Sequence, residues 1–230
     1  MKKFLMLCLP LVHAVAFYYF ASFILEPYKS RGQAQILSKK GNKFLKIGAV
    51  EEALNAYHQT VELNPENKFA WNILGLIYSD QKKNQDALEV YDQALQILPQ
   101  ASILWNNRGT VLVEMDELEK ALLSFDRALE LDTEYSDAWN NRGVVFLELG
   151  RLPEAIIALD RSIELDPKDG NTWYNRARVY GAMKNKEQTL SSLKRALQWD
   201  PDKKKGIHKE PAFEFLLTDE KFKMLSNKPD

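Results

Sequence analysis

The sequence predicts an all-α protein: a solenoid of stacked helical hairpins, closed by a short C-terminal capping helix and preceded by one apolar segment long enough to cross a membrane. Three observations carry this reading. Leu37, Trp71, Trp105, Trp139 and Trp173 recur every 34 residues, and a fixed period of that length marks a repeat architecture. Gly41, Gly75, Gly109 and Gly143 keep the same register four residues further on, while Pro65, Pro99, Pro167 and Pro201 punctuate the repeat ends. Within a repeat, the apolar residues fall at helical spacing.

The first element runs from Phe4 to Leu25, where His13 is the one appreciably polar residue besides Ser22. As a helix these residues extend about 33 Å, against a hydrocarbon core of about 30 Å. Lys2 and Lys3 precede the segment, Glu26-Pro27 ends it, and Tyr18, Tyr19 and Phe20 lie towards one end, where interfacial aromatics are favoured. Residues 1–27 are therefore expected to be a single-pass transmembrane anchor, with a linker over 28–33. A second reading stays open. Ala14-Val15-Ala16 has the form of a signal-peptide cleavage site behind a basic start and a short apolar run. Cleavage there leaves Phe17 to Phe20 and Phe23 to Leu25 exposed at the new terminus, which favours the uncleaved anchor. Lys2 and Lys3 on one side balance Lys29, Arg31, Lys39 and Lys40 on the other, so the positive-inside rule leaves the side of the repeats open. Cys8 is the sole cysteine, which excludes an intramolecular disulfide and a cysteine-based zinc site.

Each repeat reads as two amphipathic helices. In the second, Trp71, Leu74, Ile77 and Tyr78 place a helix over Lys68–Gln81; Ala87, Leu88, Tyr91, Ala94 and Leu95 place another over Asn84–Leu98. Proline stops the second helix of most repeats, whereas Pro153 falls in a first turn, where its missing amide does little harm. The run Trp71, Leu74-Gly75, Tyr78, Ala87, Tyr91, Ala94 and Pro99 resembles the tetratricopeptide repeat (TPR). The resemblance extends from about Ala34 to Pro201 without insertion or deletion. It implies a right-handed α-solenoid of five repeats, at 34–67, 68–101, 102–135, 136–169 and 170–203. In that family the glycines mark the closest approach of the two helices, the small residues Ala53, Ala87, Ala121 and Ala155 face them, and Tyr57, Tyr91 and Phe125 fill the wider gap. Leu37, Thr133, Ala177 and Thr189 depart from the pattern.

After Pro201 the period is lost. Residues 204–230 are expected to cap the stack, because terminal repeats need a soluble outer face. Glu210–Leu217 and Thr218–Leu225 read as one or two short helices, with Phe213, Leu216, Leu217, Phe222 and Leu225 covering the last repeat.

No chemistry-bearing motif accompanies the repeats. His13, His58 and His208 are far apart, and the chain has no P-loop, Rossmann glycine pattern, nucleophile elbow or zincin motif. Asp166 to Asn171 lacks calcium-loop spacing and reads as a solvated turn. No catalytic residue, cofactor or metal is predicted, and the protein is not expected to be an enzyme. Acidic and basic residues nearly cancel, for a net charge of −1, and Lys203-Lys204-Lys205 is too short a run for a nucleic-acid footprint.

What remains is a binding groove. The resemblance implies that the first helices line a concave face. The residues mapped to it are Asn72, Asn106, Asn107, Asn140, Asn141 and Asn175, with Tyr174 and Arg178 beside them. Asparagine is a middling helix former. Its amide both donates and accepts, which suits the backbone of an extended peptide; a structural, consensus role for the same residues stays open. Phe69, Leu76, Ile103, Val113, Val144 and Leu147 provide apolar pockets between the amides, and the charged groove positions are mainly acidic: Asp80, Glu114, Asp137 and Glu148 against Lys46 and Arg178. The carboxylate clamp by which some TPR co-chaperones hold heat-shock chaperones is not expected. Asn42 fits it, but Ser38 stands in the place of its lysine. Arg108, Arg142 and Arg176 form a second row, for which ion pairs with Asp126 and Asp160 are expected. The expected function is thus a membrane-tethered scaffold for an unidentified protein partner, with a secreted or periplasmic interaction protein as the alternative.

Overall fold

The structure, a computed structural model, describes residues 30–226. The predicted anchor at 4–25, Cys8, His13 and the last four residues lie outside that range. The described residues form helices joined by short turns, with no strand among them, and none of their helices is long and apolar enough to cross a membrane. The chain divides into two compact units, Met1–Pro99 and Gln100–Asp230.

The first unit contains α1 (30–46), α2 (Val50–Leu63), α3 (Lys68–Asp80) and α4 (Asn84–Ile97). Its helices pack as hairpins. Tyr57 and Tyr91 are wholly buried, each with its ring where a β-carbon on Gly41 or Gly75 would be. Tyr57 Oη also donates to Asn42 Oδ1 at 2.8 Å. Trp71 is buried, and its indole Nε1 donates to the carbonyl of Pro65 at 2.8 Å.

The second unit runs through α5 (Ser102–Glu114), α6 (Leu118–Leu131), α7 (Ser136–Glu148), α8 (Leu152–Leu165), α9 (Gly170–Ala182) and α10 (Lys186–Trp199). Each helix packs on the next. A β-carbon on Gly109 would lie 2.6 Å from the Phe125 ring, and one on Gly143 would lie 2.6 Å from Leu159. Trp139 and Trp173 are half-buried, and Trp139 packs against the buried Ala128, Leu129 and Ala138. Their indoles clasp the loop from the preceding helix: Trp139 donates to the carbonyl of Thr133 at 3.0 Å, and Trp173 to that of Pro167 at 2.9 Å.

The third repeat-end signal shows what stops the helices. α6 ends at Leu131 although Thr133 replaces the proline. Asp132 turns extended, with φ −146°, and its carboxylate accepts the amide of Glu134 at 3.1 Å. This side-chain turn substitutes for proline. Within hairpins the turns share another feature: Gly48, Lys82, Asp116, Gly150 and Lys184 all adopt positive φ, between 57° and 76°. That left-handed residue ends the first helix of each hairpin.

Past α10, Pro201–Lys204, Ile207–Lys209 and Pro211–Leu216 form 3-10 turns, and Glu220–Ser226 forms α11. Phe213, Leu216 and Phe222 are buried with Ile207 against Ala177, Leu190 and Leu193, and Leu225 is packed on the same cluster. Leu217 departs from the expected cap: it is exposed, and Ile207 contributes the further buried side chain. Pro211 lacks an amide donor, and the stretch expected to be helical forms the tighter 3-10 turn. Ala212 lies so close to Gly181 of α9 that its carbonyl oxygen leaves no space for a β-carbon there.

Two predictions follow from the packing. Gly109→Leu must displace the Phe125 ring and should cost on the order of 3 kcal/mol; chemical denaturation of the full chain followed by circular dichroism measures it, and Lys184→Gly, at a left-handed turn, should cause no loss. The second concerns the cap. Asp219 accepts the amides of Lys221 and Phe222 at 2.9 and 3.1 Å and pairs with Lys186 of α10. That lysine holds the carboxyl below the usual aspartate range. A depressed carboxylate stabilises the fold fully above its unfolded value of about 3.9 and loses this contribution as pH falls through the folded value. The melting-temperature deficit of Asp219→Asn at pH 7 should therefore shrink as the pH is lowered below about 4.

Candidate functional site

In the second unit, α5, α7 and α9 succeed one another with the same residue types at the same register. Asn106-Asn107, Asn140-Asn141 and Asn175 therefore lie on matching faces. Their amides are not separate. Asn175 Nδ2 donates to Asn140 Oδ1 at 2.9 Å, and Asn140 Nδ2 to Asn141 Oδ1 at 3.4 Å. Asn141 Nδ2 donates to Asn106 Oδ1 at 3.0 Å, and Asn106 Nδ2 to Asn107 Oδ1 at 3.1 Å. Five amides thus run head to tail across three helices, an arrangement in which each bond polarises the next. Asn106, at 4 % exposure, is the buried member of the five and lines the groove from its floor. An amide carries two donors and two lone pairs, so Asn140 and Asn141 keep a further N–H and a further lone pair after serving the chain.

The amides floor a groove of about 670 Å³. Thr110 and Val144 line it too, and Asp137, Asp166 and Asp169 give it carboxylates. Loss of hydration and the carboxylates of Asp169 and Asp166 raise the Asp137 carboxyl above the usual aspartate range. Asp166 and Asp169 were not expected here. They read as turn residues, and locally they are: Asp166 accepts the amide of Lys168 at 3.0 Å, while Asp169 caps α9 by accepting the amides of Asn171 and Thr172. Their place beside Asp137 comes from the stacking of α9 on its neighbours, which a local pattern does not encode.

The other predicted residues have contacts of their own. Tyr174 packs edge-on against Phe213, with ring centroids 5.7 Å apart, and so belongs to the cap cluster. Arg178 pairs with Glu148 at 3.1 Å and Glu210 at 3.5 Å. Asn72 lies half-buried on α3 of the first unit, and its main-chain carbonyl accepts from Tyr91 Oη at 3.5 Å. That unit has its own recess of about 530 Å³, lined by Arg31, Lys39, Asn42 and Phe69 among others. Ser38 there is buried, and Asn42 serves Tyr57.

The arginine row is structural. Arg142 Nε meets Asp126 Oδ1 and Arg176 Nε meets Asp160 Oδ1, both at 2.6 Å, with the guanidinium-bearing side chains mostly buried. Arg142 lies 4.8 Å over the Phe146 ring and Arg176 4.7 Å over that of Tyr180. Arg108 and Arg176 each bond a serine on the following helix, Ser124 and Ser192, at 2.8 Å. These contacts join successive helices beside the amide chain.

A family model described as the cilia and flagella-associated protein 70 C-terminal domain, a TPR domain, matches residues 22–219. No curated protein sequence matches significantly. Among solved structures, the MamA protein is 24% identical with a TM-score of 0.62, over 75% of this chain and 94% of that one. YrrB, described as a TPR protein with an unusual peptide-binding site, is 26% identical with a TM-score of 0.58, over 79% of this chain and 92% of that one. PilF of Pseudomonas aeruginosa is 20% identical with a TM-score of 0.67, over 74% and 78%.

Breaking the amide chain at its middle tests the geometry without a ligand. Asn140→Ala removes two bonds and leaves Asn175 and Asn141 each short of a partner. At about 1 kcal/mol net per bond, the loss should be on the order of 2 kcal/mol, offset by a few tenths from the better helix propensity of alanine. Asn171→Ala, in the same groove but outside the chain of amides, should change stability by less than about 0.5 kcal/mol. Urea denaturation of both variants measures the difference.

Proposed function

The chain belongs to the TPR family whose model is described as the C-terminal domain of cilia and flagella-associated protein 70, and from that premise we propose that it is a membrane-tethered adaptor. It holds an extended segment of a protein partner along the amides of α5, α7 and α9, in the assembly of a membrane complex. On this reading its five repeats are residues 34–67, 68–101, 102–135, 136–169 and 170–203, residues 204–230 cap them, and residues 4–25 remain as the anchor.

The observation that carries the proposal is the head-to-tail amide chain from Asn175 to Asn107. A row of amides aligned along the stack matches the alternating N–H and C=O of an extended backbone. Its orientation is fixed in advance by the bonds within it, so binding costs little ordering of these side chains. The peptide-binding site named for YrrB supports the reading by analogy. Asp137, Asp166 and Asp169 favour a ligand with a basic side chain at their end of the groove. The proposal contains no reaction.

A photo-crosslinking amino acid at Thr110, exposed in the groove, should capture the partner from native membranes, whereas one at exposed Glu130 of α6 should not. Asn107→Ala, Asn141→Ala and Asn175→Ala together should weaken that capture by about a hundredfold, at roughly 1 kcal/mol per lost bond. Circular dichroism on the same samples must show the fold retained. A folded triple variant that captures at wild-type strength would reject the groove. Carbonate washing and amino-terminal sequencing test the tether: the intact chain should stay in the pellet. A soluble protein beginning at Phe17 would instead establish the secreted or periplasmic alternative.

A further inference from the structure

We propose that the exposed face of α1 docks onto the surface of an anionic lipid bilayer. Residues 30–46 contain Arg31, Lys39, Lys40, Lys43 and Lys46 and no Asp or Glu, and all five basic side chains are exposed. Arg31 is used by Glu66, at 2.9 Å. Among the described residues the four lysines enter no ion pair; Lys40 lies 5.5 Å over the ring of Phe44 on its own helix. At 3.6 residues per turn, Lys39, Lys40, Lys43 and Lys46 share one arc of about 120°. Ile36 and Ile47 lie in the same arc and are 68% and 76% exposed. The opposite side carries buried Ala34 and Gly41, the latter against Tyr57.

The second unit shows what this face lacks. Lys40 stands in the register of Arg142 and Arg176, which are paired with Asp126 and Asp160 of the helix before them. No described helix precedes α1, so its equivalent face has neither cover nor countercharge among the described residues. Lysines interleaved with large aliphatic side chains on one arc suit a bilayer surface. The ammonium groups meet anionic headgroups while the isoleucines enter the acyl boundary. The proposal rests on the tethered reading for delivery of α1 to that surface. Residues 26–29 separate Leu25 from the described start of α1, and four residues span at most about 14 Å. Anionic headgroups attract each nearby lysine by roughly fivefold in affinity, so four reach several hundredfold, lost in high salt.

The test uses the full chain reconstituted into vesicles of phosphatidylcholine alone, or of phosphatidylcholine with about one third phosphatidylserine. A membrane-permeant amine reagent is applied, and labelling of each lysine is read by mass spectrometry against exposed Lys194 of α10. Phosphatidylserine should slow labelling of Lys39, Lys40, Lys43 and Lys46 on the order of tenfold, and 0.5 M salt should restore it. Full labelling on phosphatidylserine, with the protein still floating with the vesicles, overturns the docking and leaves the tether standing. Equal protection on both lipids also overturns it, since another part of the chain or a second copy would then cover the face. If the chain fails to float with phosphatidylcholine, the tether has failed. The docking then stands only if phosphatidylserine vesicles still carry the protein and the folded K39Q/K40Q/K43Q/K46Q variant loses that flotation.

Discussion

Along the described chain, the ring of Tyr57, Tyr91 or Phe125, or the side chain of Leu159, occupies the space where a β-carbon on the facing helix would be. Glycine allows this approach, and its recurrence every 34 residues closes the hairpins at Gly41, Gly75, Gly109 and Gly143 in the same way, while in α9 the small Ala177 stands in that register, buried with Leu193. The consequence for the groove is direct. If the hairpins of the second unit closed at different depths, α5, α7 and α9 would present their asparagines at different heights. Instead Asn141 reaches Asn106, and Asn175 reaches Asn140, at nearly the same distance.

Two further sets of contacts hold this register. The indoles of Trp139 and Trp173 fasten the loop that enters their own helix. Arg142 and Arg176 reach back to a carboxylate on the preceding helix and lie over an aromatic ring on their own. Each does with a polar atom what a purely apolar side chain could not, since the partner is a loop carbonyl or a charge at a helix surface. The amide chain is therefore supported from both sides. It is a polar network whose buried member, Asn106, both donates and accepts, which is the condition under which burying an amide is tolerable.

Much of this was legible in the sequence because it is periodic and local. The 34-residue spacing located the helices: α3 and α4 end at Asp80 and Ile97, each one residue short of the expected end. The arginine–aspartate pairs were also legible, as both partners recur in register. What escaped depends on rotation between neighbours. Asn106 and Asn107 are adjacent and chemically identical, yet one is buried and the other half-buried; they point about 100° apart around α5, and Asn106 is the one that accepts from Asn141 of α7. Tyr174 was assigned to the groove by its repeat position, but the cap, which follows no repeat, supplies Phe213 beside it. Asp166 and Asp169 carried the signature of a turn and a helix cap, and that local role is correct; their second role in the groove arises from stacking.

The groove depends most directly on the asparagine side chains being joined to one another before any ligand arrives. Selective ¹⁵N-asparagine labelling, with side-chain amide proton exchange followed by NMR on the full chain, tests this without knowledge of the partner. The Nδ2 protons of Asn106, Asn140, Asn141 and Asn175 that are engaged in the chain should exchange far more slowly than those of exposed Asn171. If all of these side chains exchange at the rate of Asn171, the amides are separate and solvated. The groove would then have no pre-ordered row to offer an extended backbone.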